Sequence, residues 1–309
     1  MVTYLFPGQG SQSPGMGQAL VEAYPSARAV FEEADDALGF ALSKVCFEGT
    51  EDELKRTEIT QPAILTTSIA ALRAIEAERP ELKCTFAAGH SLGEWSALVA
   101  VGALAFEDAV RLVRERGRLM QEAVPEGEGA MAAIIGVDSD AIVTIVDGID
   151  GATAANFNSS EQTVISGTVA GVEAAEAAIG TKHEGARVVR LPVSAPFHSP
   201  LMKPAADGLA AAMETTTVHA MSAPVVTNVE ASPNEDPSRV KSLLVEQVVA
   251  PVRWVEIVQH LVGAGQTTAL EIGPGKVLMG LARRIDRKLG VKPISDPASL
   301  TKALSSLDG

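Results

Sequence analysis

The sequence predicts an α/β protein: a parallel β-sheet covered by helices, interrupted midway by a smaller inserted unit. Three observations carry this. Strand-like and helical patterns alternate from the N-terminus to about Ala123. The same alternation returns beyond Arg253. Between them the rhythm becomes β-α-β-β-α-β.

Taken in order, "TYLFPGQGS" runs a strand into a glycine loop, and helical patterns span Gly17 to Ala37 and Gln61 to Glu78. The stretch "FAAGHSLGEWSAL", Phe86 to Leu98, reads as the end of a buried strand, a sharp turn and a helix. A further helix covers Phe106 to Ala123. After Arg253 a helix reaches about Val262, "TTALEIG" is a strand, and "KVLMGLARRIDRKLG" reads as a helix closed by Gly290. In the middle, "AMAAIIGV", "ATAANFN", "QTVISG" and "ARVVRLPV" are strands, while "DSDAIVTIVDG" and "TVAGVEAAEAAIG" are helices. That order is the ferredoxin-like split unit. "VPEGEG" marks its near boundary. The insert is expected over residues 127–192, and the larger domain over 1–126 and 193–309.

The hydrophobic fraction of 46% and charged fraction of 21% suit a soluble globular protein. Cys46 and Cys84 are two isolated thiols, which make neither a disulfide framework nor a zinc site, and a reducing cytoplasm is the expected compartment. The chain enters "VTYLF" at once, with no basic segment before an apolar stretch, and no run approaches membrane-span length. A net charge of −14 argues against nucleic acid, which requires a basic footprint. No metal site is expected.

Gly89-His90-Ser91-Leu92-Gly93 has the G-x-S-x-G spacing of a nucleophile elbow, in the strand–turn–helix setting that the elbow needs. A serine at its ordinary pKa requires a base, and five histidines compete. His183 lies in the charged loop "TKHEGAR", His219 precedes a strand, and His260 sits on an amphipathic helix, so solvation or packing explains each. His90 leaves the elbow in another direction from Ser91, which suits a supporting polar role. His198 lies in "LPVSAPFHSPLMKPA", a loop at the rim of the sheet where catalytic groups collect, and is the expected base. Asp207 and Asp236 could orient its ring, but neither sits in a recognisable motif, and a backbone carbonyl could serve instead.

"FPGQGSQ" offers Gly8 and Gly10 but carries Ser13 where a dinucleotide motif needs its third glycine, and "GPGK" lacks P-loop spacing. A glycine loop after the first strand suits another job, an N–H placed as half of an oxyanion hole with the Leu92 N–H as the other half. In "FEDAVRLVRERGRLMQEAV", Arg116 falls on the apolar stripe with Leu112, Val113 and Met120, whereas Arg111, Arg114 and Arg118 face away. A buried guanidinium needs a partner. It is either a structural ion pair with an internal carboxylate or a clamp for a substrate carboxylate.

Together these pieces resemble the malonyl-CoA:acyl carrier protein transacylases over essentially the whole chain. The motifs are "FPGQGSQ", "TQPA" at Thr60–Ala63, "GHSLGE", "RGRLMQEAVPEG", "NFNS", "PVSAPFHSPLMKPAAD", "APVRW" and "EIGPGKVL". The resemblance implies an α/β-hydrolase-like core with a ferredoxin-like insert. Ser91 is then the nucleophile, His198 the base, Gln9 and Leu92 the oxyanion N–H donors, and Arg116 the malonyl carboxylate site. The carbonyl orienting His198 falls on Gln247, with His90, Asn156 and Asn158 lining the pocket. Phe197 matches the malonyl-type pattern and would crowd an α-methyl branch. Malonyl-CoA and the phosphopantetheine of the acidic carrier protein of fatty acid synthesis are the implied substrates, with no cofactor, and a monomer is expected. A loader of polyketide carriers and a serine hydrolase remain the alternatives. For docking, the basic candidates are Lys182, Arg187 and Arg190, favoured for their place before the His198 loop, and Arg283, Arg284, Arg287 and Lys288.

Overall fold

Strand β1 (Val2–Phe6) is buried along its whole length, and its five residues, Val-Thr-Tyr-Leu-Phe, have the bulky and β-branched character of a strand covered on both faces. The computed structural model describes residues 2–193 and 195–307; Ser194, inside the His198 loop quoted above, and the chain ends lie outside them. After β1, helices α1 (Gln18–Ala23) and α2 (Pro25–Leu38) divide the stretch expected as one helix. Pro25 is the cause. It cannot donate to an upstream turn but suits a first helical position, so Tyr24 turns extended (φ −124°, ψ 115°) and the helix restarts. The short α3 (Leu42–Glu48) and α4 (Glu51–Lys55) lead into α5 (Thr57–Glu78), which starts one turn earlier than expected and packs against α2.

Strand β2 (Cys84–Gly89) pairs parallel with β1 and passes directly into α6 (Leu92–Ala100). Then come α7 (Phe106–Glu122) and the inserted unit: β3 (Gly129–Ile135), α8 (Ser139–Val146), β4 (Ala152–Ser159), β5 (Gln162–Thr168), α9 (Val169–Lys182) and β6 (Arg187–Arg190). Its strands form a separate antiparallel sheet in the order β4-β5-β3-β6, which is the spatial order of a ferredoxin-like unit. The chain returns through a 3₁₀ turn (Pro200–Met202) and α10 (Lys203–Ala212). A two-residue hairpin follows, β7 (Val225–Val226) and β8 (Pro233–Asn234), then α11 (Pro237–Gln247) and α12 (Trp254–Gly263). The last elements are β9 (Thr268–Ile272), α13 (Val277–Ile285), β10 (Gly290–Ile294) and α14 (Pro297–Ser305).

The larger sheet runs β10-β9-β1-β2-β7-β8, parallel except for the final β7–β8 pair. The helix expected to close at Gly290 instead ends at Ile285. Asp286 leaves helical geometry (φ −150°, ψ 118°), and its carboxylate accepts the Lys288 N–H at 2.8 Å. Gly290 then opens the edge strand β10, where Pro293 is tolerated because only one side must pair. The start of α13 is capped from the sheet. The buried Glu271 carboxylate on β9 accepts the Leu278 and Met279 N–H groups, each at 2.8 Å. No described helix is long and apolar enough to cross a membrane.

The two sheets are joined beside the end of α11. The Val252 N–H donates to Ala155 O at 2.8 Å, and the Phe157 N–H donates to Val252 O at 2.9 Å. Strand β4 of the insert therefore fixes the backbone just beyond Gln247.

Candidate active site

The β2–α6 turn holds Ser91 at φ 49° and ψ −104°, a conformation that L-residues rarely adopt. It is held from every side. Asn228 accepts the Ser91 N–H at 2.7 Å through Oδ1 and donates from Nδ2 to Gly89 O at 2.7 Å. The His90 N–H donates to Phe6 O at 3.1 Å, and Gln247 Nε2 donates to Ser91 O at 3.1 Å. The flanking glycines permit close approach: a Cβ on Gly93 would lie 2.0 Å from Phe6 O, and one on Gly8 2.3 Å from His90 O. Both contacts are with backbone, which cannot swing aside. Gly93→Ala is accordingly expected to destabilise the fold by about 1–3 kcal/mol, as overpacking does. Denaturant titration checks this, and an unchanged midpoint would mean that the β1–α6 packing is looser than described.

His198 sits across from the elbow, also with positive φ (57°). Its Nδ1–H donates to two carbonyls, Gln247 O at 2.9 Å and Ala250 O at 3.1 Å. That fixes the tautomer and leaves the Nε2 lone pair to accept from Ser91 Oγ at 2.8 Å. Burial, reinforced by the Arg116 charge, pushes the imidazole down to about 3, so the ring is neutral near pH 7 and free to take a proton. The carboxylates considered for orienting it are engaged elsewhere. Asp207 pairs with Lys203, and Asp236 caps α11 by accepting the Ser238 N–H.

Arg116 on α7 is 1% exposed. Its Nη1 donates to Gln61 Oε1 at 2.8 Å, and its Nη2 donates to Ser91 Oγ and to Gln247 Oε1, each at 3.1 Å. Its Nε–H has no partner, and among the described residues no carboxylate forms an ion pair with it. Of the two readings open at this position, a direct ion pair is absent, although the buried Glu94 carboxylate on the far side of Gln247 still favours the guanidinium's charge. The other arginines of α7 behave as expected: Arg111 and Arg118 pair with carboxylates on their own helix, and Arg114 lies over the Phe40 ring.

These groups meet at a cavity of about 120 Å³ lined by Gln9, His90, Ser91, Leu92, Arg116, Asn156, Phe197 and His198, together with Gln61, Met120, Met131, Leu191 and Val193. Leu92 is the first residue of α6, where backbone N–H groups have no intrahelical acceptor. One expected lining residue, Asn158, lies behind the wall, as does the side chain of Gln247, which was expected only to orient His198 through its carbonyl. Asn158 is reached through His90, whose Nε2–H donates to its Oδ1 at 2.8 Å, and Gln247 is fully buried beneath Arg116. A second cleft adjoins the cavity, sharing Gln9, Leu191 and Val193 with it. Among the described residues no cluster of His, Cys, Asp and Glu could hold a metal ion.

Residues 3–299 match the acyl transferase domain model. The chain is 47% identical to the malonyl CoA-acyl carrier protein transacylase of Bacillus subtilis (strain 168), over 99% of this chain and 97% of that one. The chain belongs to the malonyl CoA-acyl carrier protein transacylase family. The Escherichia coli (strain K12) member is 44% identical over 97% of this chain and 98% of its own. Among solved structures, the acyl-carrier-protein-S-malonyltransferase of Bartonella henselae superposes with a TM-score of 0.95 at 44% identity, covering 100% of this chain and 99% of that one. A malonyl-transacylase solved in complex with AntF, a type II PKS acyl-carrier protein, gives a TM-score of 0.94 at 43% identity, covering 99% of each chain.

Three members of the site were not singled out from the sequence: Gln61, Glu94 and Asn228. Gln61 stands within the quoted "TQPA", but its contact with Arg116 spans 55 positions. Asn228 follows the two-residue strand β7 and reaches Ser91 across 137 positions. Glu94 offers one retrospective clue. It is a carboxylate on the otherwise apolar run "LGEWSALVA" of a buried helix.

Proposed function

We propose that the protein moves a malonyl group from malonyl-CoA to the phosphopantetheine thiol of an acyl carrier protein, through a malonyl ester on Ser91. One observation carries this reading. The serine oxygen is shared between a neutral imidazole and a buried guanidinium that touches no carboxylate directly, Glu94 acting on it only across Gln247. A hydrolase acting on uncharged esters has no use for that cation. For an acyl chain ending in a carboxylate, Arg116 is a partner already desolvated and in place.

In the first half-reaction, Ser91 Oγ attacks the thioester carbonyl while its proton passes to His198 Nε2. The carbonyl oxygen becomes an oxyanion facing the Gln9 and Leu92 N–H groups. Collapse breaks the C–S bond, and His198 returns the proton to the departing CoA thiolate. In the second, His198 takes the proton of the pantetheine thiol, the thiolate attacks the same carbonyl, and Ser91 leaves with the proton restored. Both tetrahedral intermediates use one oxyanion site. The malonyl carboxylate lies on Arg116, and the Phe197 ring, which lines the same small cavity with Met120 and Met131, would leave an α-methyl branch little room. The adjoining cleft, about 420 Å³, gives the pantetheine arm a path to the cavity. Initial rates with both substrates varied should give the parallel pattern of a ping-pong reaction, and an intersecting pattern overturns this scheme.

The likeness to the transacylase solved with a type II PKS carrier favours one second reading, the same chemistry serving a polyketide carrier. Rates with carriers of both kinds decide between them.

An acidic carrier meets a protein of net charge −14, so docking must use a local basic patch. The favoured cluster before the His198 loop is partly spent, since Arg190 is bound by Glu176 and Glu173. The other is better placed. Exposed Arg283, Arg284 and Arg287 line a cleft with Ser159 and Ser160 at the end of β4, where they outnumber the cleft's two carboxylates, Glu161 and Asp286. The same strand carries Asn156 into the cavity wall, a few residues away at about 3.3 Å each. Arg283→Glu with Arg287→Glu is expected to slow transfer to the carrier about tenfold and flatten its salt dependence. Transfer to free pantetheine should be unchanged; equal losses with both acceptors would contradict a docking role.

A further inference from the structure

Glu94 is 2% exposed and lies in the first turn of α6, behind Ser91 and away from the cavity lining. A carboxyl so buried is costly unless its bonds accomplish something. Its Oε2 accepts the Asn228 backbone N–H at 2.9 Å and Gln247 Nε2 at 2.7 Å. Both partners are supports of the site. Asn228 braces the strained elbow, and Gln247 bears the carbonyl on His198.

The Gln247 side chain makes the consequence specific. A carboxamide has one donor end and one acceptor end, and the two can exchange by rotation about the last side-chain bond. Here Nε2 donates to Glu94 and to Ser91 O, so Oε1 faces Arg116 Nη2. Were the amide turned, an NH₂ group would face the guanidinium and the carboxyl would face a carbonyl oxygen. All three of these hydrogen bonds would be lost, with like ends facing each other. The acceptor at Glu94 therefore holds Oε1 toward Arg116 and, with Gln61, sets where the guanidinium points.

We propose that Glu94 is a positioning residue for acyl selectivity: by orienting the Gln247 carboxamide, it aims Arg116 at the substrate carboxylate. This rests on the malonyl-transfer reading above. What matters is an acceptor at the reach of a glutamate side chain, more than the negative charge, because a glutamine at 94 can present its carbonyl oxygen to the same two donors. An aspartate keeps the charge but stops one methylene short of Gln247.

The test is the malonyl-to-acetyl ratio of kcat/KM, measured for acyl transfer from the CoA thioesters to free pantetheine. Glu94→Gln should keep the ratio within about threefold of the parent protein. Glu94→Asp and Glu94→Leu should each lower it about tenfold or more. Gln247→Leu, which keeps the backbone carbonyl on His198, should lower it similarly. The double variant Glu94→Leu/Gln247→Leu should be no worse than Gln247→Leu alone, because residues acting through one contact do not add. A merely structural role would lower both acyl rates together and leave the ratio unmoved. An unchanged ratio in Glu94→Asp, or fully additive losses in the double variant, overturns the proposal. If Glu94→Leu does not fold, the Gln and Asp variants decide it. Failure of the parent protein to acquire malonyl on Ser91 would instead overturn the malonyl-transfer reading.

Discussion

Ser91→Ala is expected to abolish acyl-protein formation and to lower transfer to a thiol by roughly 10⁴–10⁶-fold, with the fold intact. The serine oxygen is the atom that becomes acylated, and alanine offers nothing in its place. Stability should change little, because the elbow is held through the Ser91 backbone N–H and carbonyl. His198→Ala should approach the same loss but keep a residual rate from oxyanion stabilisation. The His198 environment also predicts a pH signature. The ring sits at about 3 when folded and near its ordinary value when unfolded. The unfolded chain therefore binds the extra proton between about pH 6.5 and 3. The stability associated with His198 is present above 6.5 and lost as the pH falls through that window. Glu94 has the opposite sign. Burial pushes its carboxyl up to about 7, so its contribution is present at low pH and lost as the pH rises through 7. Comparing His198→Gln with the parent protein separates the two: the variant should lose less stability between pH 6.5 and 4. Parallel denaturation curves would place His198 in a wetter site.

Arg116→Ala is expected to cost malonyl transfer about 2–5 kcal/mol, the usual effect of removing one partner from a buried, hydrogen-bonded charge pair. Part of that loss falls on every acyl group, because Arg116 also touches Ser91 Oγ. The malonyl-to-acetyl ratio of kcat/KM isolates the rest and should fall. In the parent protein an uncharged acyl group leaves the buried cation without an anion in direct contact, and the variant removes that penalty. Arg116→Lys should fall between, since an ammonium keeps the charge but cannot bond Gln61, Gln247 and a carboxylate in the same fork. A ratio that does not fall in Arg116→Ala would make the guanidinium a structural group.

Sequence reading succeeded where the signal is local. The strand–turn–helix around Ser91, the β-α-β-β-α-β succession of the insert and the inward face of Arg116 all follow from patterns within short stretches of chain. It failed where a distant partner decides. "DRKLG" reads as a polar helix end, and only pairing with β9 makes Gly290–Ile294 a strand. The two-residue strands β7 and β8 are too short to leave a pattern, yet β7 delivers Asn228 to the elbow. At the site, the Gln247 backbone carbonyl came only from the family resemblance, because any residue type can supply a carbonyl. The side chain of the same residue does more than the resemblance implied. Its contact with Glu94 spans 153 positions and joins α6 to the end of α11. Such a link depends on how the elements stack, which no single segment records.

The central claim is that a malonyl group rests on Ser91 and leaves to a thiol rather than to water. Intact-protein mass spectrometry after brief exposure to malonyl-CoA tests it most directly, with acetyl-CoA as control and pantetheine added as a chase. The expected result is one malonyl group per chain, mapped to Ser91, stable in buffer for much longer than one turnover and lost at once to the thiol as malonyl-pantetheine. An adduct on any other residue, or one that decays to free malonate as fast in buffer as with thiol present, would contradict it.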